Sequence, residues 1–319
     1  MFNHCWLILL LTTSCLSRAE AETDFPIWLS ELKEEALTKG IKPATIEAAS
    51  KHLKINTKVT TLEKKQPEYT QTLTGYLKNR ASAQRAVLAR RHLAENRSLL
   101  DSISAEYGVP PRFIVALWAM ESDFGRNMGG FSVLSALTTL AFQSRRGDYF
   151  RRELFEALRV ADAGHVMPDS MLGSWAGAMG QCQFMPWNFN HYAVDYDGDG
   201  RRDIWHSRAD VLASIAHFLQ SLGWDTDKTW GRPVHIPADF DIALTKGKTS
   251  MGLAEWQALG IRRLNGEDLP KRAISARLLR PARASGRTYL IYSNFDVFLK
   301  WNRSHYFAIA VGNLGDQLR

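Results

Sequence analysis

The stretch "YGVPPRFIVALWAMES", Tyr107 to Ser122, decides what kind of fold this chain can adopt. Gly108 stops the helix before it, and Pro110-Pro111 starts another, because proline is tolerated in a first helical turn, where no intrahelical donor is needed. From Phe113 to Met120 every residue is apolar, so the new helix has no face to offer water and must be enclosed by protein. The apolar rod then ends on a carboxylate, Glu121. Burial without a nearby cation disfavours the charged form and raises the pKa, which keeps a proton available near neutral pH for acid catalysis. The same residue could instead form a structural ion pair with Arg112 or Arg126. Its wider sequence context decides between the two. Asp123 is the nearest rival carboxylate, but residues two apart do not share a helix face, so it is read as helping to end the helix.

Outward from this rod the chain continues to read as helix. Residues 25–107 lack strand-like alternation, and Ala89, Leu93, Leu100, Ile103 and Tyr107 recur at helical steps, as one buried face of a long helix. The opposite face, with Arg85, Arg90, Arg91, Glu95 and Arg97, is read as solvated. With 319 residues, an apolar share of 45% and a charged share of 23%, the chain is neither wholly disordered nor a polytopic membrane protein. It is expected to form one large or two joined domains. The 40 Lys and Arg outnumber the 33 Asp and Glu, and the net charge of +7 suits a polyanionic partner. Nucleic acid is set aside, because no zinc pattern, RNA-binding motif or basic heptad accompanies the charge.

The amino end reads as an address. Cys5 to Leu16 form an apolar run too short to span a bilayer comfortably, and Ala19-Glu20-Ala21 supplies the small-x-small pattern of a signal peptidase site. A leader over residues 1–21 implies export. Thr12-Thr13-Ser14-Cys15 partly matches a bacterial lipobox, which makes an outer-membrane lipoprotein anchored at Cys15 the alternative. Cleavage after Ala21 removes Cys5 and Cys15 and leaves Cys182 alone, so the exported chain has no intramolecular disulfide and depends on burial.

Two further segments carry chemistry. Gly173 to Tyr192 mixes small residues with Trp175, Phe184, Trp187, Phe189 and Tyr192. Small residues let backbone approach a ligand, and aromatic faces stack on sugar rings; the plainer reading, preferred for Phe184 and Phe189, is core packing. In "DYDGDGRRDIWH", Asp195 to His206, Asp195, Asp197, Asp199 and Gly200 match positions one, three, five and six of a calcium loop. Arg201 would offer its carbonyl and Asp203 position nine, but His206 stands where the bidentate Glu belongs. Ser207 and Asp210 fit a capping pair for a helix over 209–222 that Gly223 ends.

Taken together, "ESDFGRNMG", "FSVLSALTTLAFQSRR", "GSWAGAMGQCQFMPWNFNHYAVDYDGDG", "SNFDVFLKWNRSHYFAIAVGNLG", the Tyr107 to Ser122 stretch and "KKQPEY" at Lys64 to Tyr69 resemble the lytic murein transglycosylases of the membrane-bound B type. The resemblance runs from about Phe25 to Leu318. It implies a lysozyme-like helical core and an enzyme that cleaves the MurNAc-GlcNAc β-1,4 bond of peptidoglycan to leave a 1,6-anhydroMurNAc end, with Glu121 as acid and then base. It further implies Ser174, Gln183 and Asn302 as glycan contacts, and Arg145 and Arg146 as cations for stem-peptide carboxylates. This chain reads "FQSRRG" where the family has an aromatic and a proline before the arginine pair. Trp301-Asn302 stands where relatives carry Tyr-Asn, which keeps an aromatic platform and loses a hydroxyl. Trp175 and Tyr192 complete the expected substrate contacts. Asp210 would supply the oxygens that His206 cannot, so that Asp195, Asp197, Asp199, Arg201, Asp203 and Asp210 would hold a structural Ca2+. The chemistry itself is expected to need no cofactor.

The expected fold class is mainly α: a lysozyme-like helical core with an N-terminal helical region and a small mixed, β-containing C-terminal insertion. The expected organisation is a leader over 1–21, a helical region over 22–107, a catalytic core over 108–230, the insertion over 231–293 and a returning helix over 294–319. The insertion carries Arg262, Arg263, Lys271, Arg272, Arg277, Arg280, Arg283 and Arg287, which could face an acidic wall polymer or simply water. The expected partners are peptidoglycan strands and other cell-wall enzymes, with no nucleic acid, no transmembrane domain in the mature chain and a monomeric state. Two other functions compete: a hydrolytic muramidase on the same scaffold, and a non-catalytic, calcium-dependent peptidoglycan-binding protein.

Overall fold

Proline, glycine and short polar caps mark most helix boundaries in this chain, and the long apolar runs between them bury. A computed structural model describes residues 12–64, 71–282 and 287–319. Most of the expected leader, Lys65 to Tyr69 and Arg283 lie outside the described residues. In chain order the helices are α1 (Thr12–Thr38), α2 (Pro43–Ser50), α3 (Thr57–Lys64), α4 (Leu73–Arg80), α5 (Ala83–Glu95), α6 (Arg97–Tyr107), α7 (Pro111–Ser122), α8 (Val133–Gln143), α9 (Gly147–Asp162), α10 (Pro186–Tyr192), α11 (Arg208–Ser221), α12 (Leu253–Ala258), α13 (Ser293–Trp301) and α14 (His305–Asp316). The strands are β1 (Phe131–Ser132), β2 (Leu172–Gly173), β3 (Gly231–His235), β4 (Lys246–Gly252), β5 (Arg262–Arg263), β6 (Ser275–Leu279) and β7 (Thr288–Ile291). The fold is therefore mainly helical, as the sequence leads one to expect. Among the described residues, no helix is long and apolar enough to cross a membrane.

One unit comprises Met1–Lys65, Gly129–Met179 and Phe184–Asn190. In it the strands β1 and β2 pair antiparallel, Phe131 with Gly173, and α8 packs on α9. Glycine is required at this pairing: a Cβ on Gly173 would stand 2.1 Å from the carbonyl oxygen of Ala178. Phe184 and Phe189 are buried here, in keeping with their core-packing reading.

The second unit comprises Gln66–Met128, Gly180–Gln183 and His191–Arg319. Its centre is α7, whose residues Phe113 to Met120 are all buried, as their uniform apolarity requires. Helices α5, α6, α11 and α14 pack around it. The expected single helix through Ala89 and Tyr107 is two helices. The break falls at Asn96 (φ −113°, ψ 21°), whose side-chain Nδ2 donates to the His92 carbonyl at 2.7 Å while its Oδ1 accepts from Arg208 at 3.4 Å. Asparagine competes with the helix for its own carbonyls, and the apolar spacing carries across the break without registering it. The face opposite is exposed at Arg90, Arg91, Glu95 and Arg97, but Arg85 is drawn inward to Asp123.

The residues between α11 and α13 form an antiparallel five-stranded sheet in the order β4-β6-β7-β3-β5, with Trp256 of α12 buried against Leu278, Leu290 and Tyr292. Many of its cations are compensated locally. Arg262 lies 3.4 Å from Asp268, Arg263 2.9 Å from Glu267 and Arg277 2.6 Å from Asp296, while Arg272 donates to the Asp227 carbonyl at 3.0 Å.

Helix α14 approaches the rest of this unit through glycine. A Cβ on Gly312 would lie 2.2 Å from the Trp230 ring, and one on Gly315 2.6 Å from the Phe113 ring. Alanine favours a helix interior over glycine by about 1 kcal/mol, but forcing a methyl into a closed contact costs about 1–3 kcal/mol or more. Gly312→Ala is therefore expected to lower the thermal midpoint despite its better helix propensity. A calorimetric scan that shows a rise would mean the Trp230 ring moves freely.

Candidate active site

Helix α7 ends abruptly, and its end is unusual. Asp123, Phe124 and Gly125 all take positive φ, at 52°, 62° and 84°, so two side-chain-bearing residues sit consecutively in the left-handed region. Each such residue costs of order 1 kcal/mol and persists only where the surroundings hold it. The Ser122 hydroxyl accepts from the Gly125 amide at 3.0 Å, the Ser122 carbonyl accepts from the Asn127 amide at 2.8 Å, and Arg126 and Arg85 hold the Asp123 carboxylate at 3.0 and 3.5 Å. Asp123 thus terminates the helix, as read from the sequence.

Glu121 sits one residue inside this turn and is half-buried. Neither arginine considered as its partner pairs with it: Arg126 is committed to Asp123, and Arg112 lies 4.5 Å from the Phe113 ring centroid. Its partner is instead the indole of Trp301, whose Nε1 donates to Oε1 at 2.6 Å. Burial pushes the Glu121 carboxyl up to about 7, against the opposing pulls of the Trp301 hydrogen bond and the Arg80 charge. A group so placed is about half protonated at neutral pH and can both give and take a proton there. An indole N–H can only donate, so Trp301 holds Oε1 as an acceptor and leaves the acidic proton to Oε2.

Trp301 is the last residue of α13 and packs on Phe218 at 4.6 Å between ring centroids; Phe218 packs in turn on Tyr192 at 4.7 Å. Asn302 follows as the C-cap of α13, exposed, with Oδ1 accepting from the Ser304 amide at 3.0 Å. Gln183 has φ 50°, and its Nε2 donates to the carbonyls of Met128 and Gly180 at 2.9 and 2.8 Å, which fixes the plane of its amide. Glu121, Gln183, Tyr192, Trp301 and Asn302 all belong to the second unit.

Ser174, Trp175, Arg145 and Arg146 belong to the first. The Ser174 hydroxyl accepts from the Ala178 and Ala176 amides at 3.0 and 3.3 Å, which leaves its own hydrogen to donate. Trp175 is partly exposed. Arg145 and Arg146 are both exposed, the latter stacked on Tyr149 at 4.5 Å from the ring centroid.

The acidic loop gathers some of its carboxylates and not others. Oxygens of Asp195, Asp197 and Asp210 lie within 4.8 Å of one another. Asp210 is fully buried; its Oδ1 accepts from the Tyr196 amide at 2.8 Å and its Oδ2 from the Asp203 amide at 2.7 Å, while burial raises its pKa. Asp210 also completes the expected cap, its amide donating to the Ser207 hydroxyl at 3.3 Å. Asp199 turns to Arg201 at 3.2 Å, and the Oδ1 of Asp203 accepts from the amides of Trp205 and His206, each at 2.9 Å.

Two further residues brace α7 within the second unit. Gln181 accepts from Trp118 Nε1 at 2.8 Å and donates Nε2 to the Trp205 carbonyl at 2.7 Å, while its backbone amide donates to the Ile204 carbonyl at 2.8 Å. It is a strut from the acidic loop to α7, one turn before Glu121. Arg80, forty residues upstream, donates to the Met120 carbonyl at 2.6 Å. The Gly-Gln-Cys-Gln run gave a local hint of the first; nothing local marks the second.

A mainly helical, lysozyme-like protein with a half-buried acid at the end of its central helix is the class these features define. Residues 24–316 match the family described as the Transglycosylase SLT domain, and the chain belongs to that family. It is 35% identical over 217 residues to the membrane-bound lytic murein transglycosylase B of Escherichia coli strain K12, a match that takes in 66% of this chain and 57% of that relative's length. Among solved structures it resembles SltB3 from Pseudomonas aeruginosa, in complex with NAG-anhNAM-pentapeptide and with NAG-NAM-pentapeptide, at 38% identity and a TM-score of 0.89, over 92% of this chain and 79% of that one. It also resembles the Escherichia coli lytic transglycosylase Slt35 in complex with calcium, at 28% identity and a TM-score of 0.77, over 91% of this chain and 92% of that one.

Proposed function

We propose that the chain is a lytic transglycosylase that cleaves the β-1,4 bond between MurNAc and GlcNAc in peptidoglycan and leaves a 1,6-anhydroMurNAc end. The observation that carries this reading is a single half-buried carboxyl raised to about 7 whose hydrogen-bond partner is an indole. Ordinary glycosidases place a second carboxylate across the scissile bond as nucleophile or base. Here the carboxylate next along the chain, Asp123, is held by Arg85 and Arg126. The substrate supplies the missing group. Glu121 Oε2 protonates the leaving glycosidic oxygen as the C1–O bond breaks, and the MurNAc N-acetyl group steadies the cation. The ionised Glu121 then takes the proton of the O6 hydroxyl as O6 bonds to C1, which returns the enzyme to its starting protonation state with no water consumed. Support comes from SltB3, to which the chain is similar and which has been solved with NAG-anhNAM-pentapeptide.

Gln183, Asn302 and Ser174 hydrogen-bond glycan hydroxyl and acetamido groups, Trp175, Tyr192 and Trp301 offer aromatic surface, and Arg145 and Arg146 meet stem-peptide carboxylates. The substrate places the enzyme in the periplasm, exported by its leader, with the Cys15-anchored lipoprotein as the alternative form. Hard oxygens at the spacing of Asp195, Asp197 and Asp210 suit calcium, and a relative solved with calcium supports it. Asp195, Asp197 and Asp210 would hold the ion, with Asp199, the Arg201 carbonyl and Asp203 as further oxygens of the loop; bound there it braces the loop and takes no part in the chemistry.

Digestion of isolated sacculi tests the assignment. The expected products are muropeptides lighter by one water than the reducing forms; reducing MurNAc ends would make the enzyme a muramidase, and binding without cleavage a wall-binding protein. Trp301 gives a sharper check on the site. Trp301→Phe removes the donor that favours ionised Glu121, so the carboxyl rises further and the alkaline limb of kcat moves to higher pH, with kcat lowered about tenfold. An alkaline limb left in place by Trp301→Phe would mean the indole does not set the protonation of Glu121.

A further inference from the structure

The last carbonyls of α7 are disposed of in an uneven way. The Asp123 amide takes the Ala119 carbonyl at 3.2 Å, the Phe124 amide reaches back to Trp118 at 3.4 Å and the Asn127 amide takes Ser122 at 2.8 Å. None of these amides reaches the carbonyl of Met120, which immediately precedes Glu121. The abrupt left-handed turn at Asp123 and Phe124 is the cause, since it points the amides that would have continued the helix elsewhere. Arg80 Nη2 fills the gap at 2.6 Å.

Arg80 is part-buried, ends α4, and among the described residues makes no ion pair with a carboxylate. It belongs to a closed circuit. Its own carbonyl accepts from Arg85 Nη1 at 3.1 Å, Arg85 reaches Asp123 at 3.5 Å, and Asp123 is the turn that follows Glu121. A part-buried guanidinium without a carboxylate is costly unless something else uses its charge. We propose that Arg80 is a positioning residue of the reaction: it caps the terminal turn that carries Glu121, and it supplies the positive charge that steadies this carboxylate each time it gives up its proton.

The electrostatic need is plain. The C-terminal end of a helix carries about half a negative charge, and burial also opposes ionisation, so both act against the base form of Glu121. Of the charged groups on the helices around α7, Arg90, Arg91 and Glu95 of α5 and Arg97, Asp101 and Glu106 of α6 are exposed; the other charged and titratable groups include Arg85 and His92 of α5, Arg208 and Asp210 of α11, Asp316 of α14, Cys182 from the loop before α10, and Asp123 and Arg126 of the following turn. Arg85 and Arg126 are spent on Asp123; Arg208 stacks on the Trp118 ring, 5.2 Å from its centroid; Asp316 accepts from Trp230 Nε1 at 3.0 Å. Cys182 is buried and its thiol raised by that burial. His92 is held below its usual value by burial. Arg80 is the cation that acts on Glu121.

This inference rests on Glu121 being the acid and base, and the test separates the two claims. Arg80→Gln can still donate to the Met120 carbonyl but has no charge; Arg80→Lys keeps the charge. Steady-state rates on muropeptide chains across pH, with circular dichroism to verify the fold, should give Arg80→Gln a kcat about tenfold lower, KM within about twofold, and an alkaline limb moved upward by about half a pH unit or more. Arg80→Lys should keep the limb where the wild type has it. An Arg80→Gln profile that superposes on the wild type, or a raised KM with kcat intact, overturns the role proposed for Arg80 while leaving Glu121 untouched. Should Arg80→Gln not fold, a displaced limb in Arg80→Lys overturns it equally. Retained turnover in Glu121→Gln overturns both.

Discussion

Glu121→Gln is expected to abolish turnover, by at least about a thousandfold, and to leave the fold intact. The amide keeps the size of the side chain and can still accept from Trp301, but it has no proton to give the leaving oxygen and cannot take one from O6. Both half-reactions fail together. The same substitution should make the protein more resistant to unfolding at high pH. A carboxyl raised from its ordinary value to about 7 in the folded state binds its proton more tightly there than in the unfolded chain. Its contribution is therefore fully present below about pH 4.5 and is lost as pH rises to about 7, at most about 3 kcal/mol across the window. Glutamine has no such loss. Denaturant titrations at pH 5 and pH 8 should show wild type and variant converging at the lower pH and the variant ahead at the higher; the opposite order would mean Glu121 is stabilised as an anion and is no general acid.

Asp210→Ala is expected to damage the acidic loop more than any other single change in it. The Asp210 carboxylate accepts from the amides of Tyr196 and Asp203 at 2.8 and 2.7 Å, and it is the buried member of the Asp195, Asp197 and Asp210 group. Removing it strands those amides and breaks the cradle in which a calcium ion would sit. Charge-assisted hydrogen bonds of this kind contribute about 1.5–3 kcal/mol each, so a loss of about 3–5 kcal/mol is expected. Calcium added to the wild type should raise the thermal midpoint, and Asp210→Ala should remove that response. A variant that melts like the wild type and still responds to calcium would place the ion, and the strength of the loop, elsewhere. Gln181 links this loop to Trp118, so the damage should also reach α7.

How much of this could be read from the residues alone depends on the distance over which each signal acts. The buried rod from Phe113 to Met120, its proline start and the stop of the preceding helix at Gly108 are local, and the sequence announces them. So is the raised carboxyl of Glu121, because eight apolar neighbours imply burial whatever the tertiary detail. The helix break at Asn96 escaped because apolar spacing carried across it, while the competing hydrogen bond to His92 involves a single polar side chain. Arg80 and Trp301 stand 41 residues before and 180 residues after Glu121 along the chain, and no periodicity connects them to it. Trp301 was expected as an aromatic platform from the resemblance, which sets it where relatives carry Tyr; that its Nε1 meets Glu121 is set by how α13 ends. The acidic loop shows the same division. The alternation of Asp195, Asp197 and Asp199 is plain in the chain, yet Asp199 turns to Arg201 while Asp210, from the next helix, joins the group.

The central claim is that the muramyl residue itself closes the reaction under a single carboxyl, with water excluded from the bond-making step. Digesting purified sacculi in water enriched in heavy oxygen, and weighing the released muropeptides, tests it directly. The account predicts anhydro ends, one water lighter than the reducing forms and carrying no label; heavy oxygen at C1 of a reducing MurNAc would contradict it.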